Sequence, residues 1–247
     1  MRFPKLQDSI KNIIPLCTRE FASYLNSPIA YIFVAVFFAA ANWLFFQSFF
    51  VTDQAVVRPW FELLPWVLLL LAPAITMRSW AEEKRSNTIE FLLTLPVRDF
   101  EVVLAKFVSS FAFLGLVLGL SISVPLTVGW LGDIDAGAAV AGYAGALLLG
   151  GLYLSIGLLV SAFTKNQIIA FLISASAMFV LIIIGSGQVL AYVSGTTAEA
   201  LRFLSATTHF NALSRGIVDT RDIVYFLSFT AFFIYLNVHA IASRNWR

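Results

Sequence analysis

The residues of this sequence that could perform chemistry are few and far apart. Ser186, within Gly185-Ser186-Gly187, and the two histidines could form the nucleophile and base of a protease. Ser186 and His239, however, fall near opposite membrane faces in the segments predicted below, far beyond hydrogen-bond reach. His209, in a predicted loop, is the other candidate base. Two histidines and the single Cys17 supply no metal-ligand set. We therefore predict neither a catalytic nor a metal site.

Energy-transducing chemistry is also missing from the sequence. No G-x-x-x-x-G-K-[ST] phosphate loop occurs, so we do not expect this chain to hydrolyse ATP. The centres of the apolar segments carry no acidic or basic residue, and Glu62 lies at the end of one of them. Ion-coupled transporters place such residues inside the membrane. We therefore predict that the chain is not an enzyme and that any energy comes from a partner.

The composition predicts an integral membrane protein. Hydrophobic residues make up 60% of the chain and charged residues 12%, with a mean hydropathy of +0.86. A span needs about 20 apolar residues. We predict an all-α, polytopic, single domain over 1–247, with a cytoplasmic and interfacial helix in 1–27, a six-span bundle at 28–242 and a cytoplasmic tail at 243–247. Its six spans are predicted at 28–50, 60–77, 102–131, 138–163, 168–192 and 223–242.

The distribution of positive charge predicts the orientation. With alternating spans and a cytoplasmic N-terminus, all but four of the 16 lysines and arginines lie inside, as the positive-inside rule requires. We expect both termini in the cytoplasm of a bacterium and the spans in its inner membrane. The N-terminus lacks the pattern of a cleaved signal peptide, so we expect the first span to be retained. The net charge of +2 gives no indication of a nucleic-acid partner.

A helix lying in the membrane interface is predicted before the first span. Residues 15–26 form an amphipathic pattern, with Phe21 and Tyr24 on the apolar face and Arg19 and Glu20 on another face. This helix could simply anchor the first span, or it could hold a partner; the sequence leaves both alternatives open. Ser27-Pro28 is typical of a helix start and should begin the span.

The loop after the second span contains the strongest candidate for a binding site. We predict that Glu82 and Glu83, with the following Lys84 and Arg85, are solvated. Asn87 and Glu90 match a capping box, and Asp99 should cap the third span. A short helix is therefore predicted from Thr88 to Leu95, ended by Pro96. It is apolar almost all round, which favours burial against its own bundle or in the groove of a partner. Its apolar residues are Ile89, Phe91, Leu92, Leu93 and Leu95.

The spans carry small and polar residues with predicted roles. Gly142, Ala146 and Gly150 form a small-residue stripe that lets another helix approach closely, either within the chain or at a subunit interface. Asn42 and Gln47 in the first span are our candidates for a substrate pathway, although polar side chains can also bond between helices.

The last predicted loop, at 193–221, is too short and polar for further crossings. We predict two short extracytoplasmic helices there. Thr196 with Glu199 matches a capping box, and Gly216 could end the second helix.

Several of these segments resemble the permease subunits of type-2 ABC exporters, and most closely the gliding-motility GldF-like and the NosY-like permeases. The resemblance is carried by 19–31, 77–86, 88–96, Ile156-Gly157-Leu158 with Ser161, and Asn166-Gln167. Asn87 departs from it, because Gly is expected at that position. The resemblance extends from Cys17 to the C-terminal tail, over nearly the whole chain.

The resemblance implies a function and partners. It implies a permease that pairs with a second permease as a homodimer or heterodimer, contacts membrane lipid and binds a cytoplasmic ABC ATPase, which carries ATP and magnesium. Residues 88–95 would be the coupling helix, with the interfacial helix beside it. Glu82 and Glu83 would also belong to the residues that contact the ATPase. The alternative is a membrane scaffold whose ATPase does mechanical work on an envelope complex, with a periplasmic-domain subunit as a further partner.

Overall fold

The computed structural model describes residues 6–52, 56–88, 98–132 and 134–243. Within these ranges the regular structure is helical, without strands. The helices are α1 (Leu6–Leu25), α2 (Pro28–Thr52), α3 (Arg58–Thr76), α4 (Ala81–Arg85), α5 (Asp99–Leu120), α6 (Ser123–Leu131), α7 (Ala136–Ser161), α8 (Gln167–Ile183), α9 (Gly187–Leu190), α10 (Thr196–Leu204), α11 (Ala206–Leu213) and α12 (Thr220–Ala242).

Five segments of the described chain are long and apolar enough to cross a membrane, where six were predicted. They are Ala30–Phe49, Arg58–Arg85, Asp99–Leu131, Ala136–Ser161 and Thr220–Ala242. The other predicted span, at 168–192, corresponds to the 17-residue α8. A helix of this length extends about 25 Å, less than the roughly 30 Å of a bilayer core.

The predicted end of that segment, at residue 192, is wrong. The helix stops at Ile183, and Ser186 caps the separate α9 by accepting a hydrogen bond from the Val189 amide. The chain is crowded at this point, because a Cβ atom on Gly185 would lie 2.3 Å from Ser205. Ser205 is fully buried at the junction of α10 and α11. The turn therefore lets α10 and α11 pack against the end of α8.

Helix α7 is the centre of the bundle. Of the 18 most apolar consecutive residues of α7, 72% are buried, whereas the corresponding share in α2 is 11%. Glycine makes this burial possible, because neighbouring side chains fill the space that a Cβ would occupy. Such an atom would lie 2.6 Å from Phe61 at Gly142, 2.2 Å from Leu114 at Gly150 and 2.1 Å from Thr76 at Gly157. Both glycines of the predicted stripe thus meet helices of the same chain, as does Ala146, which is fully buried.

Three predicted helix starts need correction. The interfacial helix begins at Leu6 and contains Pro15 in its interior, whereas the prediction placed Pro15 at its start. Asp99 is the first helical residue of α5; Arg98 is the cap, and its amide donates to the Glu101 carboxylate at 3.2 Å. Thr196 lies inside α10, because Gly195, with a φ of 71°, takes the capping position. Each of the three helices therefore begins earlier than its sequence motif predicts.

Two other helix boundaries agree with the sequence-based prediction. The first membrane helix begins at Pro28, and the Ser27 carbonyl accepts from the Ala30 amide at 3.1 Å. Gly216 has a φ of 82° just after α11 and donates its amide to the Leu213 carbonyl, so it turns the chain away from the helix.

Candidate functional site: a polar junction after the second span

A buried ion cluster joins three parts of the chain at the end of α3. The Lys106 ammonium lies 2.7 Å from Glu83 Oε1 and 3.1 Å from Glu20 Oε1, and it donates to the Ser79 carbonyl at 3.1 Å. It also lies 4.9 Å from the centroid of the Trp80 ring. The cluster therefore links α5, which carries Lys106, to α1 and to the segment at 77–85.

The partners of Lys106 explain how a lysine side chain only 1% exposed is tolerated. Moving an ammonium out of water is costly unless it is paired and hydrogen-bonded. Here two carboxylates, a carbonyl and an aromatic face surround it. The two carboxylate side chains are themselves only 16–17% exposed. Each charge in the cluster thus depends on the others for its compensation.

The opposite side of the same segment is held by α7 and the turn that follows it. Ser161 Oγ accepts from the amides of Trp80 and Ala81 at 3.1 and 3.2 Å and donates to the Met77 carbonyl. Lys84 Nζ donates to the Ala162 carbonyl. Ser161 thus satisfies backbone groups at the start of α4 that have no partner within the helix.

Two further side-chain contacts complete this junction. Gln167, the first residue of α8, donates to the Glu82 carboxylate. Arg78 donates from Nε to Glu82 at 3.2 Å and from Nη1 to Ser27 at 3.0 Å, next to the start of α2. We name the set formed by 77–85 with Glu20, Ser27, Lys106, Ser161 and Gln167 the polar junction. Contacts from five helices meet there.

The prediction that residues 82–85 are solvated is wrong for part of this segment. Lys84 is 4% exposed, Glu82 and Glu83 are partly buried, and only Arg85 is exposed. The reason is that the charges have partners distant in sequence, which a local pattern does not reveal. Glu82 and Glu83, predicted to contact an ATPase, make these contacts within their own chain.

The interfacial helix packs along α5. Tyr24 stacks on Phe113 with ring centroids 5.3 Å apart, and Ser109 donates to the Cys17 carbonyl at 2.9 Å. Phe21 packs against the same core, while Arg19 is exposed. The apolar face thus contacts the bundle of its own chain.

Burial in this contact changes two pKa values on α1. Burial raises the pKa of the Cys17 thiol, a hydrogen bond with Ser109 opposes the rise, and the Glu20 carboxylate adds to it. Burial also raises the pKa of Tyr24, with further contributions from Glu20 and Glu83. Both side chains therefore stay neutral at physiological pH.

The predicted coupling helix begins where the described residues stop. Ile89, Glu90, Phe91, Leu92, Leu93 and Leu95 lie outside them. Thr88 is exposed, and its hydroxyl lies 2.9 Å from that of Ser86. Asn87 has a φ of 57°, a left-handed conformation that Gly adopts freely and Asn tolerates. This conformation accounts for Asn at the position where the resemblance expects Gly.

The candidate pathway residues lie on an open face of α2. Asn42 and Gln47 line a cavity of about 430 Å³ together with Trp43, which is 73% exposed. The Asn42 amide donates to the Phe38 carbonyl of its own helix at 2.8 Å. The two side chains share one surface, which faces away from the core of the bundle.

His209, the loop histidine considered above as a base for Ser186, has a polar contact at each of its two ring nitrogens. His209 Nδ1 lies 2.7 Å from Asp222 Oδ1, and Nε2 lies 2.9 Å from the Phe203 carbonyl oxygen. Its ring stacks on Tyr225 with centroids 4.0 Å apart. No ring nitrogen is left to activate Ser186. His209 instead joins α10, α11 and α12, the three helices that we name the helical cap.

The fold and the junction define the class of this protein: a helical, multi-span membrane protein with a polar junction at one end of its bundle. Comparison with protein families matches residues 15–243 to the ABC-2 family transporter proteins. The chain belongs to this family. It is thus a membrane permease subunit of an ABC transporter, distinct from the ATPase subunit that the family implies as a partner. A comparison with curated proteins found no match.

Proposed function

We propose that this chain is the permease subunit of an exporter in a bacterial inner membrane and that residues 88–95 couple it to a cytoplasmic ATPase. Within the ABC-2 family we favour the GldF-like group, with a role in gliding motility. Both termini would lie in the cytoplasm, and two permeases would pair to form the pathway, with Asn42 and Gln47 on its wall.

The observation that supports this proposal is the ion cluster around Lys106. Its contacts connect the segment directly before residue 88 to α1 and α5, while Ser161 and Gln167 connect the same segment to α7 and α8. A force applied to 88–95 would reach all of these helices through short polar contacts. Where packed helices can switch between two arrangements, a small displacement is converted into a larger rearrangement.

In this proposal Glu82 and Glu83 have a different task from the apolar residues that follow them. The two carboxylates hold the segment to its own bundle, whereas Phe91 and Leu92 fill a groove on the ATPase. Burial of a large apolar side chain contributes about 1.5–3 kcal/mol. Together the two residues would contribute about 3–6 kcal/mol to ATPase binding.

The experiment is a titration of the ATPase that co-purifies with the chain in mild detergent, against the permease in nanodiscs. Replacing Phe91 and Leu92 with Asp removes the apolar contact and adds charges that the groove must desolvate. We expect an affinity loss of at least 100-fold, since each position contributes at least about 1.5 kcal/mol.

The matched control is Ile217→Asp with Val218→Asp. These neighbouring apolar residues are both 59% exposed and lie between α11 and α12. This variant should bind the ATPase like the wild type. Equal binding by the Phe91/Leu92 variant would refute the coupling helix. A scaffold driven by the same ATPase would use the same contact, so the experiment tests what both hypotheses require.

A further inference from the structure

A polar cavity of about 590 Å³ lies beside the polar junction, between α1, the start of α2 and the segment after α3. Its wall carries three cationic and three anionic side chains, so it has no net charge: Arg19, Arg78, Lys106, Glu20, Glu82 and Glu83. The side chains that a ligand can reach differ from those that are buried. Arg19 is exposed, and the side chains of Arg78 and Glu82 are 37% and 46% exposed. Two arginines and one carboxylate are thus accessible.

An apolar crevice adjoins this cavity. It is narrow and is lined mainly by Ala30, Phe33, Leu71, Ile75 and Phe113. The crevice and the cavity share Tyr24, Ser27 and Arg78 in their walls, so the two spaces lie side by side. Together they form one site with a charged end and an apolar end.

The two ends are separated along the direction in which the helices cross the membrane. Lys106 and Phe113 are both on α5, and seven residues of helix correspond to about 10 Å. The charged end lies nearer to the start of α5, and the apolar end lies deeper in the bundle. This is the order of a phospholipid headgroup and its acyl chain in a bilayer.

We propose that this composite site binds one phosphatidylethanolamine molecule. Arg19 and Arg78 hold the phosphate, Glu82 faces the ammonium, and one acyl chain enters the crevice. A zwitterionic headgroup matches a wall with no net charge, and arginine binds phosphate through several hydrogen bonds at once.

The Arg78 guanidinium has further N–H donors for a contact with the phosphate. A guanidinium carries five N–H donors, and the bonds to Glu82 and Ser27 use one on Nε and one on Nη1. The phosphate therefore need not displace the contacts that hold the polar junction. A lipid bound here would fill the space between α1 and α2 and strengthen the attachment of the interfacial helix.

The test is native mass spectrometry of the delipidated full chain, titrated with dioleoylphosphatidylethanolamine. We expect one saturable lipid per chain. Dioleoylglycerol, which lacks the phosphate, and phosphoethanolamine, which lacks the chains, should not bind measurably. Arg19→Ala should weaken lipid binding about tenfold, as expected for losing a hydrogen bond to a charged group.

A second variant tests the apolar end independently. Ala30→Trp should fill the crevice and weaken binding by a similar factor. The matched controls are Arg58→Ala, at the other end of α3, and Ala40→Trp, at an exposed position of α2; both should titrate like the wild type. The proposal is overturned if Arg19→Ala and Ala30→Trp also titrate like the wild type, or if either partial ligand binds as well as the complete lipid.

Discussion

The ammonium of Lys106 lies 2.7 Å from the Glu83 carboxylate, although the two residues belong to different membrane segments and are 23 positions apart. This contact fixes the segment after α3 to the side of α5. Because Glu20 approaches the same ammonium from α1, one side chain holds three elements together. The permease thus has a rigid connection between its interfacial helix and the loop that leads to residues 88–95.

Replacing Lys106 with Met should destabilise the protein strongly. The change removes the ammonium that pairs with both Glu20 and Glu83 in a largely buried site, and breaking a buried pair costs about 3–5 kcal/mol. We expect a lower midpoint of thermal unfolding in detergent. Lys165→Met, at an exposed position, is the control and should unfold like the wild type.

Neutralising the carboxylates should restore part of the lost stability. The triple variant Lys106→Met, Glu20→Gln and Glu83→Gln removes the uncompensated negative charge that the single variant leaves behind. It should therefore unfold at a higher temperature than Lys106→Met alone. A triple variant that is less stable than the single variant would show that the cluster is not held by charge compensation.

Cys17 offers a direct probe of how α1 is attached. Burial raises the pKa of its thiol above the ordinary value of 9.0. For an acid a raised pKa means less thiolate, and each unit lowers the reactive fraction about tenfold at neutral pH. Alkylation by iodoacetamide should therefore be slow at pH 7.5 and still rise above pH 9.0. In Lys106→Met the rate at pH 7.5 should increase, because α1 is less firmly held. The same slow rate in both proteins would contradict this account of α1.

The contact between α7 and the end of α3 depends on a glycine. A Cβ at residue 157 would lie 2.1 Å from Thr76 Oγ1, which already donates to the Ala72 carbonyl. Gly157→Ala should therefore cost about 1–3 kcal/mol, as overpacking does in other cores. Gly119→Ala, with no atom within 4 Å, should leave stability unchanged or raise it by up to about 1 kcal/mol. Thermal unfolding of both variants gives the comparison.

The sequence predicted what depends on local patterns. Apolar length located the five segments of the described chain that are long enough to cross a membrane, and Ser27-Pro28 marked the start of α2. It failed where a distant contact decides the outcome. A local pattern identifies Lys106 only as one of the positive charges that indicate topology, because its partners are 23 and 86 positions away. The end of α8 was missed for the same reason, since Ser205 approaches Gly185 from another helix.

The packing of the helical cap should depend on His209. His209→Phe preserves an aromatic ring against Tyr225 but removes both polar contacts, leaving Asp222 buried without this donor. Such a loss costs about 1–3 kcal/mol. Limited proteolysis should cut the region 187–219 faster, while the ATPase should still co-purify. His239→Phe, at an exposed histidine, is the control. Unchanged proteolysis of His209→Phe would show that these contacts do not hold the cap.

The measurement that tests the central claim most directly is the ATPase rate of the assembled complex in nanodiscs. The variant to compare with the wild type is Lys106→Met with Glu20→Gln and Glu83→Gln, which leaves residues 88–95 unchanged. We predict that it binds the ATPase with wild-type affinity but that the ATPase rate no longer responds to the permease. An ATPase rate stimulated as in the wild-type complex would contradict transmission through the Lys106 cluster.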